Sequence, residues 1–303
     1  MVGTGTAKNE YKEWTTDELA APDTANAVVD GSDASGNDTA TGQRVGNHHQ
    51  ISDKVVKVSY RADASDTIGR AKELSYQLMR RQQELRRDVE AIALLNQASV
   101  ADDGDSIAGK VGGLPSWLET NTANGTPGGF NLSTGLTEAY TYEVAGVPLT
   151  EKDVRDVVES VYNEGGDPTK MMSVPRLIRR FSEYLFTSSA RVASLMSDQG
   201  KSKEKAAALG SVNVFVTDFG TLTLVPNRLQ QTYTATTTSA DVFILDPEYL
   251  ALCYLKGYRT DTLAKTGLAE NRQMSVDWSL IVNTEKAHGI IASVDTNSAV
   301  TAE

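Results

Sequence analysis

Asp66-Thr67-Ile68-Gly69-Arg70-Ala71-Lys72-Glu73-Leu74-Ser75-Tyr76-Gln77-Leu78-Met79-Arg80-Arg81-Gln82-Gln83-Glu84-Leu85-Arg86-Arg87-Asp88-Val89-Glu90-Ala91-Ile92-Ala93-Leu94-Leu95-Asn96 is the stretch on which the fold turns. Ile68, Ala71, Leu74, Leu78, Leu85, Val89, Ile92 and Leu95 recur at spacings of three, four and seven. That spacing lines up one side of an α-helix. Arg80, Arg81, Glu84, Arg86, Arg87, Asp88 and Glu90 fill the other side, where Arg80 with Glu84 and Arg86 with Glu90 are four apart and expected to pair. Ser65 or Asp66 can cap the first turn. A helix over 66–96 would be a rod of roughly 45 Å at about 1.5 Å per residue, against an average globular helix of about 12 residues. A coiled coil is the alternative, but about four heptads are available and no second apolar pattern of equal length occurs in the chain.

Working outward towards the N-terminus, Val56, Val58 and Tyr60 alternate with Lys57 and Ser59, the period of a half-buried strand. Glu10 to Trp14 reads as a second short strand. Between them, residues 20–47 are rich in Ala, Asp, Gly, Ser, Thr and Asn, with turn chemistry throughout Asp30-Gly31-Ser32-Asp33. The segment reads as a long two-stranded excursion with a flexible tip, and a connection of this length in a compact domain is usually functional.

Towards the C-terminus, residues 99–134 are Gly-rich and interrupted by Gly112-Gly113-Leu114-Pro115-Ser116-Trp117-Leu118, a short helical turn with Trp117 as packing anchor. Thr150 caps a second helix whose stripe is Val154, Val157, Val158 and Val161, stopped by Gly165-Gly166 and Pro168. Pro175 opens a third, with Leu177, Ile178, Phe181, Leu185 and Phe186 on its apolar side. Beyond about 210 the period changes to two. Val212, Val214 and Val216 alternate, as do Leu222 and Leu224. Val242 to Leu245 forms a strand that Asp246-Pro247 stops. Met274, Val276, Trp278, Leu280 and Val282 form a long one, and Gly289 to Val294 another. The tail 295–303 is polar and expected to fray. The class is α+β.

The 303 residues carry 29 basic and 40 acidic side chains, a net charge of −11. So acidic a chain is a poor candidate for gripping nucleic acid, because neutralising phosphate backbones needs clustered Lys and Arg. Apolar content of 40% is that of a folded protein, and no apolar run approaches the roughly 20 residues of a membrane helix. Residues 1–6 lack the basic-then-apolar pattern of a signal peptide. The single Cys253 forbids an internal disulfide.

The chemistry-bearing residues are few. His48 and His49 are adjacent, so a strand would aim them to opposite faces, and no Cys or acidic cluster stands at ligand spacing. They are expected to be exposed or interfacial polar residues. His288 stands alone, with no G-x-S-x-G nucleophile turn anywhere in the chain. The glycines from Gly104 to Gly113 fit neither a phosphate loop nor a dinucleotide fingerprint, and Asp102 to Asp105 lack the distal Glu of a calcium loop. Arg80-Arg81 and Arg86-Arg87 read first as a solvated helix face balanced by Glu84, Asp88 and Glu90, and next as inter-subunit ion pairs. No catalytic, cofactor-binding or metal residue is assigned, and the expectation is a non-enzyme without cofactor.

The order of elements resembles major capsid proteins of tailed bacteriophages with the Hong Kong 97-type fold, in a podovirus-associated family. The stretches that carry the resemblance run along nearly the whole chain. They are Glu13-Trp14-Thr15-Thr16-Asp17-Glu18-Leu19-Ala20, Val58-Ser59-Tyr60, Lys72 to Ala93 with Arg87-Asp88-Val89-Glu90, and Gly112 to Leu118. Gly165-Gly166-Asp167-Pro168, Asp218-Phe219-Gly220-Thr221, Val225-Pro226-Asn227-Arg228, Leu245-Asp246-Pro247-Glu248 and Leu263-Ala264-Lys265-Thr266-Gly267 follow. Family members carry an N-terminal arm ahead of the Glu-Trp motif, whereas about a dozen residues precede it here.

The resemblance implies a division of the chain. Residues 1–61 would be a short N-terminal segment and an extended loop reaching over a neighbouring subunit. Residues 62–147 would be a peripheral domain built on the spine helix 66–96, residues 148–264 an axial domain, and 265–303 strands returning to the peripheral domain. It implies a self-assembling icosahedral shell of pentamers and hexamers, located in the virion, assembled in host cytoplasm, and enclosing double-stranded DNA without gripping it. Scaffold, portal and decoration proteins are the implied partners, with no membrane. Candidate inter-subunit contacts are Trp14, Asp17, Arg44, Arg80, Arg81, Arg86 and Arg87. Two rivals remain: a cellular nanocompartment shell of the same fold, and a soluble hydrolase using His288.

Overall fold

The computed structural model of the chain describes residues 2–33, 36, 42–65, 69–70, 72–187, 213–234, 236–265 and 267–302. The elements run in the order β1 (Gly3–Thr6), β2 (Tyr11–Thr16), β3 (Gln43–His48), β4 (Gln50–Ser59), α1 (Tyr60–Ala64) and α2 (Glu73–Ala93). The short strands β5 (Thr122–Ala123), β6 (Gly129–Asn131) and β7 (Leu136–Glu138) come next, then α3 (Glu151–Asn163), β8 (Lys170–Ser173) and α4 (Pro175–Thr187). The last part holds β9 (Val214–Thr217), β10 (Gly220–Pro226), β11 (Tyr233–Thr234), β12 (Thr238–Leu245), β13 (Leu250–Thr262), β14 (Ala269–Val282) and β15 (Gly289–Asp295).

Two sheets organise the molecule. A four-stranded sheet has the order β1-β13-β14-β4, and a seven-stranded sheet the order β5-β15-β12-β8-β10-β9 with β11 paired to β12. The long strand β14 is the spine of the first sheet, its apolar alternants Met274, Val276, Trp278, Leu280 and Val282 all turned into one core. In the second sheet β12 is buried on both faces. Val242 and Ile244 join a core with Val154, Val157, Val158 and Val161 of α3 and with Leu177, Ile178, Phe181 and Leu185 of α4. Phe243 and Leu245 join the other core, with Leu85 and Val89 of α2 and with Trp117. Two-sided burial explains why Val242 to Leu245 is a continuous apolar run rather than an alternating one.

The described part of the long helix is Glu73–Ala93, starting seven residues later than the apolar pattern suggests. Gly69 has φ +82° and Lys72 is extended, so the helix cannot run through them. Asp66, Thr67, Ile68 and Ala71 lie outside the described residues. Lys72 is the capping position but gives no side-chain bond. Asp63 of α1 accepts the free Leu74 N–H instead, at 3.1 Å. At about 1.5 Å per residue the 21 residues make a rod of roughly 31 Å. The stripe is as read: Leu85 and Val89 are buried, and Leu78 and Ile92 pack partly buried on the same core.

Several smaller expectations change. The excursion's two strands are β2 and β3, paired antiparallel with Trp14 opposite Val45. Val56 and Val58 belong to β4, which pairs with β14, and Tyr60 opens α1. Val45 and Asn47 are buried, so the expected tip of 20–47 ends in a core strand. The polar tail does not fray throughout, because Thr301 N–H donates to Leu149 and Glu151 N–H to Thr301. The sheets also cross the expected divisions: β13 lies in the four-stranded sheet with β14, while β15 lies in the seven-stranded one. Val212, Thr266 and the side chain of Phe186 lie outside the described residues.

Other signals have direct physical counterparts. Thr150 caps α3 by accepting from Asp153 N–H. Gly165 supplies φ +90° at its end, a conformation an L side chain resists. Leu114–Ser116 is a 3-10 turn that delivers Trp117 and Leu118 into the core.

Candidate assembly interface

The candidate contact residues fall into two groups. The first sits on the β2–β3 ribbon. Trp14 is half-buried within its own subunit, its ring 5.3 Å from that of Trp117, which in turn stacks on Phe130 at 5.5 Å. Trp14 is therefore an anchor that fixes the base of the ribbon. Arg44 is exposed and ion-pairs with Glu13 across the ribbon. Asp17 is exposed just beyond β2 and accepts the Glu18 N–H at 3.0 Å.

From there residues 17–33 run as an open strap. Leu19 is fully exposed, and Val28 and Val29 are 84% and 78% exposed. Burying such a side chain is worth roughly 1.5–3 kcal/mol, a gain the strap does not realise within its own subunit. Lys286 holds its root, bonding Glu18 at 3.0 Å and Glu164 at 3.1 Å.

The second group lies on α2. The expected i,i+4 pairs do not form. Arg81 pairs with Glu84 at 2.6 Å, one turn position nearer. Arg86 lies over the Tyr258 ring at 5.3 Å, while Glu90 accepts from Asn227 at 2.9 Å. Asp88 takes Lys54 of β4 at 2.7 Å. Arg80 lies 5.9 Å from the Tyr76 ring centre. Arg80, Arg86 and Arg87 are exposed, and among the described residues no carboxylate reaches ion-pair distance of any of the three. Beside Arg86 an apolar groove of about 1170 Å³ opens between α2, β1 and β13.

Two buried polar clusters escaped the sequence reading. His49 is buried within its own subunit, whereas an exposed or interfacial residue was expected. Its Nδ1 lies 3.0 Å from Asp277 Oδ1, and its Nε2 lies 3.7 Å from Cys253 Sγ. Burial lowers the imidazole pKa and pushes the thiol up to about 11. A neutral ring that donates from Nδ1 to the carboxylate and accepts the S–H at Nε2 satisfies all three groups. Cys253 is fully buried, so the trio stitches the β3–β4 junction to β13 and β14 and offers no open nucleophile. His48 instead lies against Tyr11, ring centres 4.6 Å apart.

The second cluster centres on Asp241, 4% exposed at a bulge in the β12–β15 pairing. It accepts from Tyr142 at 2.7 Å, from Tyr233 at 2.8 Å and from Ser293 N–H at 3.4 Å. The two tyrosine rings stack at 3.9 Å. No sequence spacing brings residues 142, 233, 241 and 293 together; only the bulge does. His288 is fully buried, accepts from Asp246 N–H at 3.3 Å, and has its pKa lowered to about 4 by burial, so it is a neutral core residue.

Solved structures share this architecture. The capsid of the cyanophage P-SCSP1u matches with a TM-score of 0.57 at 9% identity, over 97% of this chain and 86% of that one. The SrpI encapsulin of Synechococcus elongatus PCC 7942 matches with a TM-score of 0.56 at 12% identity, over 99% and 87%. At such identities the likeness shows the fold alone, and the expected Hong Kong 97-like fold is borne out. In sequence, the major capsid protein of Escherichia phage Phieco32 is 39% identical over 98 residues, 32% of this chain. The matched stretch spans 28% of that relative's length. The model of the SU10 major capsid protein family matches residues 1–295. With nearly the full length matched, the chain belongs to the SU10 major capsid protein family.

Proposed function

We propose that the chain is a structural shell protein that self-assembles into the icosahedral head of a tailed phage, in pentamers and hexamers enclosing double-stranded DNA. The family match over residues 1–295 carries this reading. Composition supports it: a net charge of −11 suits a wall that confines a polyanion without adhering to it. On this reading the seven-stranded sheet with α3 and α4 is the axial domain. The four-stranded sheet with α2 is the peripheral domain, and the β2–β3 ribbon with its strap is the extended loop. The protein's place is then the virion shell, assembled in host cytoplasm, with scaffold, portal and decoration proteins as further partners. Its work is mechanical and assigns no step to a catalytic group or cofactor.

A cellular nanocompartment has one observation in its favour, the encapsulin likeness. That likeness is one of fold, whereas the family match and the 39% identical relative both concern phage capsid proteins. Electron microscopy of the protein expressed alone and with its neighbouring genes tests the proposal. Closed particles tens of nanometres across are expected, filled with DNA only when packaging genes are present. Particles that load a protein cargo instead would favour the nanocompartment.

A further inference from the structure

We propose that Asn124-Gly125 modifies itself: the Gly125 peptide nitrogen displaces ammonia from the Asn124 side chain, leaving an aspartyl or isoaspartyl residue at 124. This is the one Asn-Gly pair among the 303 residues, and the inference stands apart from the shell reading. The fold itself dictates the pair. Asn124 and Gly125 take φ of +64° and +80° where the chain turns away from β5 towards the bridge between Thr126 and Thr141. Asparagine is among the few side chains that tolerate a positive φ. At 125 a Cβ would stand 2.6 Å from the Thr141 carbonyl oxygen, so glycine is required. Glycine in turn leaves its own peptide nitrogen unshielded by a side chain, one residue after the Asn124 carboxamide.

The surroundings favour the reaction. Both residues are half-buried, and among the described residues the Gly125 N–H has no acceptor. The nucleophile is that nitrogen once hydroxide has taken its proton. Its negative charge spreads onto the Asn124 carbonyl oxygen, which accepts the Tyr140 hydroxyl. A fixed donor at an oxygen where charge develops lowers the barrier. Tyr140 is 3% exposed, and burial pushes its pKa up to about 12, so it is still a donor in mildly alkaline solution. The nitrogen bonds to Asn124 Cγ, the Cγ–Nδ2 bond breaks, and Nδ2 takes a proton from water and leaves as ammonia. Water then opens the five-membered imide. Breaking the bond from nitrogen to Cγ gives aspartate, and breaking the bond to the backbone carbon gives isoaspartate. One water is consumed and one ammonia released, with no change of oxidation state. The new carboxylate replaces the amide that donates to the Ala292 carbonyl at 3.4 Å, in a neighbourhood that already holds Glu143 and Asp241. The reaction therefore costs β15 a hydrogen bond and adds a negative charge beside it.

Peptide mapping of the folded, full-length chain tests this directly. The protein is held in mildly alkaline buffer, sampled at intervals and digested in acid, where the reaction stops. Conversion at Asn124 is expected at least tenfold faster than at any other asparagine of the described residues, with isoaspartate among the products. Asn124→Gly keeps a residue that accepts the positive φ and should release no ammonia from this turn. Tyr140→Phe should slow conversion at least threefold in the folded chain and leave it unchanged in the urea-unfolded chain, where no hydroxyl is held against the turn. A variant that merely loosened the fold would react at the unfolded chain's rate in both states. The converted protein should also unfold at a lower urea concentration than the intact one. An Asn124 that stays intact in the folded chain while reacting in the unfolded one would overturn the proposal. A folded Tyr140→Phe chain that reacts as fast as wild type or faster would overturn the role given to Tyr140.

Discussion

Asp241 carries the sharpest consequence of any single side chain. Among the described residues no cation offsets its burial; two tyrosine hydroxyls and one backbone N–H do. Desolvation is the largest influence and raises its pKa to about 6, against an ordinary value of 3.8. The folded state therefore holds this proton more tightly than the unfolded chain. The resulting stability is fully present below about pH 4 and is lost as pH rises through about 6, on the order of 3 kcal/mol in all. Asp241→Asn should flatten that slope. Urea unfolding of the unassembled subunit at pH 7 and pH 4.5 checks it: wild type gains on acidification relative to the variant, and parallel pH dependences would contradict the assignment.

Gly113 is a second residue with a definite prediction. A Cβ there would stand 1.9 Å from the Leu95 carbonyl oxygen, at the point where the Leu114 turn is pressed against the end of α2. Backbone cannot yield that much without displacing the helix. Gly113→Ala is expected to cost more than about 3 kcal/mol, read as a shift in urea midpoint.

At the scale of elements, α2 shows what the sequence discloses. Leu78, Leu85, Val89 and Ile92 were legible as one stripe because burial imposes a period, and a period survives any tertiary context. Its start was not legible. The apolar residues Ile68 and Ala71 continue the spacing, but Gly69 takes a positive φ and Asp63 caps from another helix, and neither effect is periodic. Surface partners were equally hidden. Arg80–Glu84 and Arg81–Glu84 are both sound spacings, and Tyr258 competes for Arg86 from 172 residues away. The ribbon was readable as an excursion from composition, yet Val45 and Val56 could not be assigned between two strands until β14 was seen to pair with β4. The Asp241 and His49 clusters rest on juxtapositions across more than 90 and 200 residues, beyond any local signal.

The stripe can be tested against the opposite face of the same helix. Leu85 is 1% exposed and lies in the core that α2 shares with the apolar face of β14. Leu85→Ala should cost about 2–5 kcal/mol through lost burial and the cavity left behind. Gln83→Ala, on the exposed side, should stay within about 0.5 kcal/mol. Equal urea midpoints for the two variants would show that α2 packs by another face.

At the scale of the whole molecule, the subunit keeps a strap that its own core does not cover. Ordering each residue costs roughly 1–2 kcal/mol of backbone entropy, and the exposed Leu19, Val28 and Val29 recover little of it within one chain. On the proposed shell reading association would supply the missing burial, so the strap's protection should depend on assembly. Limited proteolysis is expected to cut the free subunit first between residues 20 and 33 and to spare that stretch in particles. Equal cutting in both states would make the strap a passive surface loop.

The central claim is that the chain builds a closed shell from copies of itself. Electron cryo-microscopy of the purified full-length protein under assembly conditions asks this most directly. Closed icosahedral particles are expected in which subunits cluster as pentamers and hexamers, with the seven-stranded module at the symmetry axes and α2 along the periphery. A uniform population of monomers, or open aggregates without icosahedral symmetry, would contradict it.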